Sequence, residues 1–275
     1  LYCGNLDCFG HFPLLETISF LIFAGQFSQV TRLYIHYEIL DSHYNYFMNQ
    51  SLVSLNEEII ACRKCPRLVA WREEVARVKR KAYKDEEYWG KPVPGFGDHK
   101  AHVMVVGLAP GAHGSNRTGR NFTGDASGGF LYPALYRAGF ANQALAESRS
   151  DGLILKDLYI TAAGRCAPPD NKPTPEELNN CQPYLEREIQ IIKPKVMVCL
   201  GRIAFERILK VYSASLSQNG RAEKWKFAHG ACYQLPTGEW ILCSYHPSQQ
   251  NTLTGKLTVN MFDDIWKKAK ELIIE

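Results

Sequence analysis

The stretch HVMVVGLAPG, residues 102–111, is an apolar run that stops at a glycine-rich turn. A short apolar run bounded this way reads as a buried strand, here His102 to Gly107. The pattern recurs at Leu158 to Ala163, Lys195 to Leu200 and Trp240 to Tyr245. Helical periods fill the gaps. Ser127 to Ala138 reads as a helix with Ser127 as its N-cap. Thr174 to Ile192 opens on Thr174-Pro175-Glu176-Glu177: a cap, a proline at the first helical position, then an acid three residues on. Gly201 to Val211 and Thr258 to Ile274 follow. Upstream, Ser54 to Cys62 reads as an amphipathic helix, Val78 to Tyr88 as a charged helical stretch, and Lys91 to His99 as a Pro/Gly loop. Strands alternating with helices predict an α/β fold, a three-layer α/β/α sandwich around a four-stranded, mainly parallel sheet. Such sheets bind ligands beyond the carboxyl ends of their strands. Three of the four strands run into polar or glycine-rich segments, at Leu108, Gly164 and His246. Those segments are expected to converge on one edge.

The chain has 275 residues, 45% of them hydrophobic and 22% charged, which suits one large folded domain. Its net charge of +4, from 32 basic and 28 acidic residues, argues weakly for an anionic partner. Nine cysteines, an odd number, speak against a fully paired secreted framework and for a reducing cytoplasm. No run approaches the roughly 18–20 apolar residues that cross a bilayer, so no membrane partner is expected. Leu14 to Phe27 is apolar but short, interrupted by Glu16, and lacks the basic start of a signal peptide. Residues 1–47 are rich in Phe, Tyr and His and show no clear period, whereas the patterned chain begins at Met48. Residues 1–47 are therefore read as an extension ahead of a domain spanning 48–275, with a packed native extension as the alternative.

Three motifs carry chemistry. The first is Gly107-Leu108-Ala109-Pro110-Gly111, continued to Asn121-Phe122-Thr123-Gly124-Asp125. A glycine-rich turn after a strand suits a phosphate, but no Gly-Lys-Ser/Thr follows and the dinucleotide fingerprint is absent; a turn without a ligand is the bland alternative. The second is Cys62-x-x-Cys65, with Cys166 and Cys181 downstream. Four thiolates hold a zinc ion or an iron–sulfur cluster, and unrelated core thiols are the alternative. Cys199 and Cys243 lie inside apolar strands and read as core, and Cys232 starts a short edge strand. The third is His246-Pro247-Ser248 and the polar segment Gln249 to Lys256. A histidine ending a buried strand before a flexible loop is a better candidate than the other histidines.

The ordered series CRKC, GLAPGAHGSNRTGRNFTGD, GRCAPPDNKPTPEELNNC and HPSQQNTLTGKLT resembles the iron–sulfur uracil-DNA glycosylases, most closely their type b branch, family 5. The resemblance covers about four fifths of the chain, from Leu55 onward. It implies that Cys62, Cys65, Cys166 and Cys181 hold a structural 4Fe–4S cluster. It implies that Phe122 stacks on the flipped base and that His246 stabilises the departing base. The backbone of Gly107, Leu108, Ala109, Pro110 and Gly111 would approach the base and the abasic sugar, with Ser248 among the substrate-binding residues. The neighbouring iron–sulfur branch has an acid at the position of Leu108 and an asparagine near Ala162 or Ala163, so the water-activating group is not supplied there. Asp125 and Asn171 are the candidates for orienting water and substrate.

The implied function is base-excision repair: hydrolysis of the N-glycosidic bond of uracil, and of other deaminated bases such as hypoxanthine, in DNA. Arg117, Arg120, Lys172 and Lys256 sit in or beside the site motifs and are expected to track DNA phosphates, with Leu253 as a wedge at the opened base pair. A monomer acting on the cytoplasmic, nucleoid DNA of a prokaryote is expected. The competing readings are a DNA-binding module of the same fold that has lost catalysis, favoured by Leu108, and a zinc-bearing protein without a DNA role.

Overall fold

The computed structural model describes residues 50–218 and 225–274. The expected extension, residues 1–47, lies outside them. Helix α1 (50–61) is followed by α2 (Pro66–Val78) and, after an irregular stretch, by β1 (Phe96–Gly97) and β2 (Val103–Gly107). Then come α3 (Ser115–Thr118), α4 (Ala126–Arg137), β3 (Leu158–Ala162), α5 (Pro175–Ile192), β4 (Val196–Leu200), α6 (Arg202–Val211) and α7 (Ser213–Gln218). The chain continues through β5 (Cys232–Gln234), β6 (Trp240–Ser244), α8 (Gln249–Leu253) and α9 (Val259–Ile274).

The sheet has six strands in the order β1-β3-β2-β4-β6-β5. The four anticipated strands form its parallel centre, with β2 between β3 and β4 and β6 beyond β4. The two added strands, β1 and β5, are short antiparallel edges. β1 falls in the segment read as a Pro/Gly loop. Gly97 there lies so close to β3 that a Cβ would collide with the Leu158 carbonyl, so glycine permits the pairing rather than preventing it.

Alternation along each strand builds the two interfaces. Val103, Val105, Leu158, Ile160, Val196 and Val198 face α4 and α9, where Leu131, Leu135, Phe262 and Trp266 complete one core. Met104, Val106, Met197, Cys199, Ile241 and Cys243 face the other way, onto Leu185, Ile189 and Ile192 of α5 and Phe205 and Ile208 of α6. This is the expected three-layer arrangement. Cys199 and Cys243 are core residues, as read, and Cys232 starts β5. Leu55 and Ile59 of α1 form a satellite cluster with Tyr184 of α5.

The Thr174 capping box forms in both directions: Thr174 Oγ1 accepts from Glu177 N at 3.2 Å and Glu177 Oε2 accepts from Thr174 N at 2.7 Å. At α4 the cap is Asp125 and not Ser127; its Oδ1 accepts from Gly128 N at 2.9 Å. Val78 to Tyr88 is not a helix. Lys79 adopts a left-handed φ of 59° and ends α2, and beyond it only Lys81–Tyr83 make one tight turn. The charged stretch has no apolar stripe to bury, whereas α2 packs Leu68, Val69 and Val75 inward. Among the described residues no helix is long and apolar enough to cross a membrane.

Candidate active site

The carboxyl ends of β2, β3 and β6 bring the predicted loops together. Pairing extends past the strands: Ala163 N donates to Gly107 O (2.9 Å) and Gly164 N to Leu108 O (2.8 Å). On the other flank Gly201 N donates to Ser244 O at 2.9 Å, and a Cβ on Gly201 would rest 3.6 Å from the His246 Cβ. These contacts set the first and third motifs side by side. The Phe122 and His246 rings lie 5.8 Å apart, tilted by 33°.

Phe122 reaches that position at a cost. Its φ is 53°, a left-handed conformation that a bulky side chain rarely adopts. Its backbone N–H donates to Ser115 Oγ at 3.1 Å. The ring closes on Gly107, where a Cβ would come within 2.8 Å of Cζ. Glycine at the end of β2 is thus required by the aromatic ring and not by the turn alone.

His246 is half-buried, and burial pushes its pKa down to about 4. It is therefore neutral at pH 7 and keeps one N–H to donate. Its carbonyl accepts from Asn251 Nδ2 at 2.8 Å, which ties it to α8. The Gln249 to Leu253 segment, expected as a flexible loop, is this short helix, with Ser248 at its N-cap position. Leu253 at its end is 83% exposed. Lys256 places its Nζ 4.9 Å from the centre of the Tyr245 ring.

Asp125 sits at the floor of the first loop. A Cβ on Gly111 would come within 3.2 Å of its Oδ2, and one on Gly114 would collide with it. Burial raises its pKa, while the backbone N–H groups of Gly128 and Ser127 pull the other way. Asn171 is exposed on the tight turn Pro169–Asn171 after β3, with a left-handed φ of 55°. Lys172 beside it is exposed, and its carbonyl accepts from Arg67 Nη2 at 3.1 Å.

Arg117 and Arg120, expected to track phosphates, are engaged within the protein. Both are buried and already paired. Arg117 bridges Glu86 and the Gly124 carbonyl, stacked over the Tyr83 ring. Arg120 forks onto Asp151 at 2.9 and 2.6 Å. Burial alone opposes ionisation of Asp151, but this fork and the backbone N–H groups of Leu153, Glu147 and Ser148 outweigh it and hold the carboxyl well below its ordinary range. Both arginines brace the first motif from within.

Cys62, Cys65, Cys166 and Cys181 line one small pocket, together with Arg72, Arg165 and Asn180. Among the described residues no three His, Cys, Asp or Glu side chains are grouped to hold a single metal ion. Four thiols around one pocket are the donor set of a zinc ion or an iron–sulfur cluster. Arg72 Nη1 donates to Cys166 Sγ at 2.8 Å and Asn180 Nδ2 to Cys65 Sγ at 3.4 Å. Arg72 Nε and Arg165 Nε are buried donors without an acceptor, as expected of walls around a sulfur-rich anion. Burial pushes the Cys166 thiol up to about 12 against the pull of Arg72, and Cys181 also rises.

Three features lay outside the sequence reading. Arg165 and Glu188 form an ion pair at 2.5 Å that is almost wholly buried, joined by Thr161 and Tyr159. Arg72 is a buried cation on α2. His113, in the first loop, shares a hydrogen bond of 3.1 Å with the Tyr88 hydroxyl through Nδ1.

Comparison with known proteins gives the family. Residues 94–270 match the uracil DNA glycosylase superfamily. A type-5 uracil-DNA glycosylase of Thermus thermophilus is 53% identical over 218 residues, covering 78% of this chain and 95% of that protein. One from Mycobacterium leprae is 49% identical over 224 residues, covering 81% and 96%. One from Mycobacterium bovis is 48% identical over 224 residues, covering 81% and 82%. The chain belongs to the uracil DNA glycosylase superfamily, on its type-5 branch.

Proposed function

We propose that this protein excises uracil from DNA by hydrolysing the N-glycosidic bond, and that hypoxanthine and other deaminated bases are further substrates. The observation that carries the reading is the Phe122–His246 ring pair, 5.8 Å apart at the carboxyl edge of the sheet. A base inside a duplex is out of reach, so the nucleotide swings out at a cost of a few kcal/mol. Stacking on Phe122 returns roughly 1–3 kcal/mol. As the bond breaks, positive charge grows on the sugar and negative charge on the base. His246 donates a hydrogen bond to the base without first having to lose or gain a proton. The backbone of Gly107 to Gly111 borders the base and sugar, with Ser248 nearby in the third motif. Asp125 and Asn171 orient water and substrate. Leu253 fills the gap left in the duplex, and Lys172 and Lys256 meet the phosphates.

The thiolates of Cys62, Cys65, Cys166 and Cys181 would hold a structural 4Fe–4S cluster. When bound, that group cross-links the segment between α1 and α2 to the loop after β3 and to α5. The protein acts as a monomer on DNA in the cytoplasm, at the nucleoid of a prokaryotic cell. The test is a panel of duplexes bearing uracil, hypoxanthine or xanthine, scored for abasic sites, with iron and acid-labile sulfide measured on the same preparation. Abasic sites at uracil, with iron and sulfide in equal amounts, support the reading. Iron-loaded protein that leaves every duplex intact would make it a DNA-binding module instead.

A further inference from the structure

Arg72 stands out among the charged groups around the four-cysteine pocket. It is 2% exposed, and Nη1 donates to Cys166 Sγ at 2.8 Å while Nη1 and Nη2 each reach the Cys62 carbonyl at 3.3 Å. One guanidinium therefore grips two of the four cysteines, one from each distant pair. Arg165 and Arg207 also lie within electrostatic reach of Cys181, but among the described contacts neither side chain donates to a cysteine sulfur; Arg207 Nη1 donates to Asn179 Oδ1 at 2.7 Å. Arg165 is neutralised by Glu188 at 2.5 Å. Lys64 turns over the Tyr184 ring, 5.3 Å from its centre. Glu73 approaches Arg72 at 3.8 Å but is 45% exposed and also binds Arg63.

We propose that Arg72 is the counter-cation of the cysteine site, and that its charge and its bond to Cys166 set the reduction potential of the cluster held there. This rests on the cluster reading above. Four thiolates outweigh the positive charge of a 4Fe–4S core, so the site as a whole is anionic. Reduction adds one further negative charge. A buried cation beside it favours the reduced form, because charges interact strongly where water is excluded. Hydrogen bonds to ligand sulfur act in the same direction. Arg72 also leads to the base loop: its carbonyl accepts from Asn116 Nδ2 at 3.2 Å, and Asn116 N donates to Gly111 O at 3.0 Å. The anchor of the metal site is thus two hydrogen bonds from the loop that borders the base.

The experiment measures the midpoint potential of the full, cluster-bearing chain by a redox titration read in the visible spectrum and by electron paramagnetic resonance. Wild type is compared with Arg72→Met, Arg72→Gln and Arg72→Lys. The expected result is a lower potential in Arg72→Met and Arg72→Gln, with Arg72→Lys between them and wild type because it keeps the charge and loses the fork. If Arg72→Met does not fold, Arg72→Gln against Arg72→Lys carries the same comparison, since both keep a polar stem and differ in charge. The same potential in every variant that binds the cluster overturns the proposal while leaving the cluster reading intact. Wild-type protein free of iron and sulfide would sink the cluster reading itself.

Discussion

Replacing His246 by alanine tests whether a neutral donor drives the chemical step. Burial holds this imidazole at a pKa of about 4, against an ordinary value of 6.5. Charging it in place costs on the order of 3 kcal/mol more than in water, since one pKa unit corresponds to about 1.4 kcal/mol. At pH 7 it is neutral, so in the proposed mechanism its contribution is one N–H bond to a base that becomes anionic only in the transition state. Loss of one such donor costs about 2.7–4 kcal/mol in comparable oxyanion sites, a fall of about 10²–10³-fold. His246→Ala should lower the single-turnover rate by that amount on a uracil duplex and leave binding to abasic product nearly unchanged. The pH profile gives the sign. The wild-type rate should stay level from pH 8 down to about 5 and fall only as His246 protonates near 4. Stability follows the same linkage: the unfolded chain takes up this proton near 6.5 and the folded chain near 4, so stability falls as pH drops through that window and is independent of this group above it. A rate that climbs as pH falls from 7 to 5 would require the imidazolium and refute the reasoning. So would an alanine variant with undiminished turnover.

Three further outcomes are expected. Leu253→Ala should slow excision from matched pairs more than from mismatches, where opening is easier, because this side chain is 83% exposed and has no folding role to lose; equal loss on both substrates would argue against a wedge. Arg120→Ala should lower stability by about 3 kcal/mol, since it leaves Asp151 without its buried partner, and should not change the salt dependence of DNA binding, whereas Lys256→Ala should reduce that slope by about one. Asp125→Asn should keep the melting temperature, because asparagine caps helices as well as aspartate, yet slow excision, most steeply for purine bases; a normal rate in Asp125→Asn would leave Asp125 as a helix cap alone.

The strand centre was legible because burial on both faces makes each strand a continuous apolar run, as at Val103 to Val106. The capping box at Thr174 was legible because its chemistry is local. Helix α2 was not, because its inward stripe of Leu68, Val69, Arg72 and Val75 contains a cation. Periodicity registers that arginine as a surface position, yet it is buried against a cysteine sulfur. β1 escaped because it is two residues long and its glycine looks like a loop signal. Asp125 and Ser127 are both residue types that cap helices, and only the backbone identifies Asp125 as the cap.

The site divides along the same line. What depends on where strands end was readable: His246 after β6, the glycine turn after β2, and the loop after β3. What depends on distant partners was not. Arg117 and Arg120 looked like free loop cations, but their acids, Glu86 and Asp151, each lie 31 positions away along the chain. No local pattern distinguishes an arginine that faces phosphate from one that braces a loop. Glu188 was missed as well, although its position carries a clue. It lies on the buried stripe of α5 with Cys181, Leu185 and Ile192. An unpaired carboxylate cannot remain there, so its position alone calls for a buried cation from elsewhere in the fold. Arg165, between Gly164 and Cys166, is that cation, and its Nη1 also donates to Thr161 Oγ1 at 2.5 Å. The pair pins the start of the loop that carries Cys166 to β3 and α5. The third strand therefore fixes Cys166 relative to α5 through a single buried charge pair.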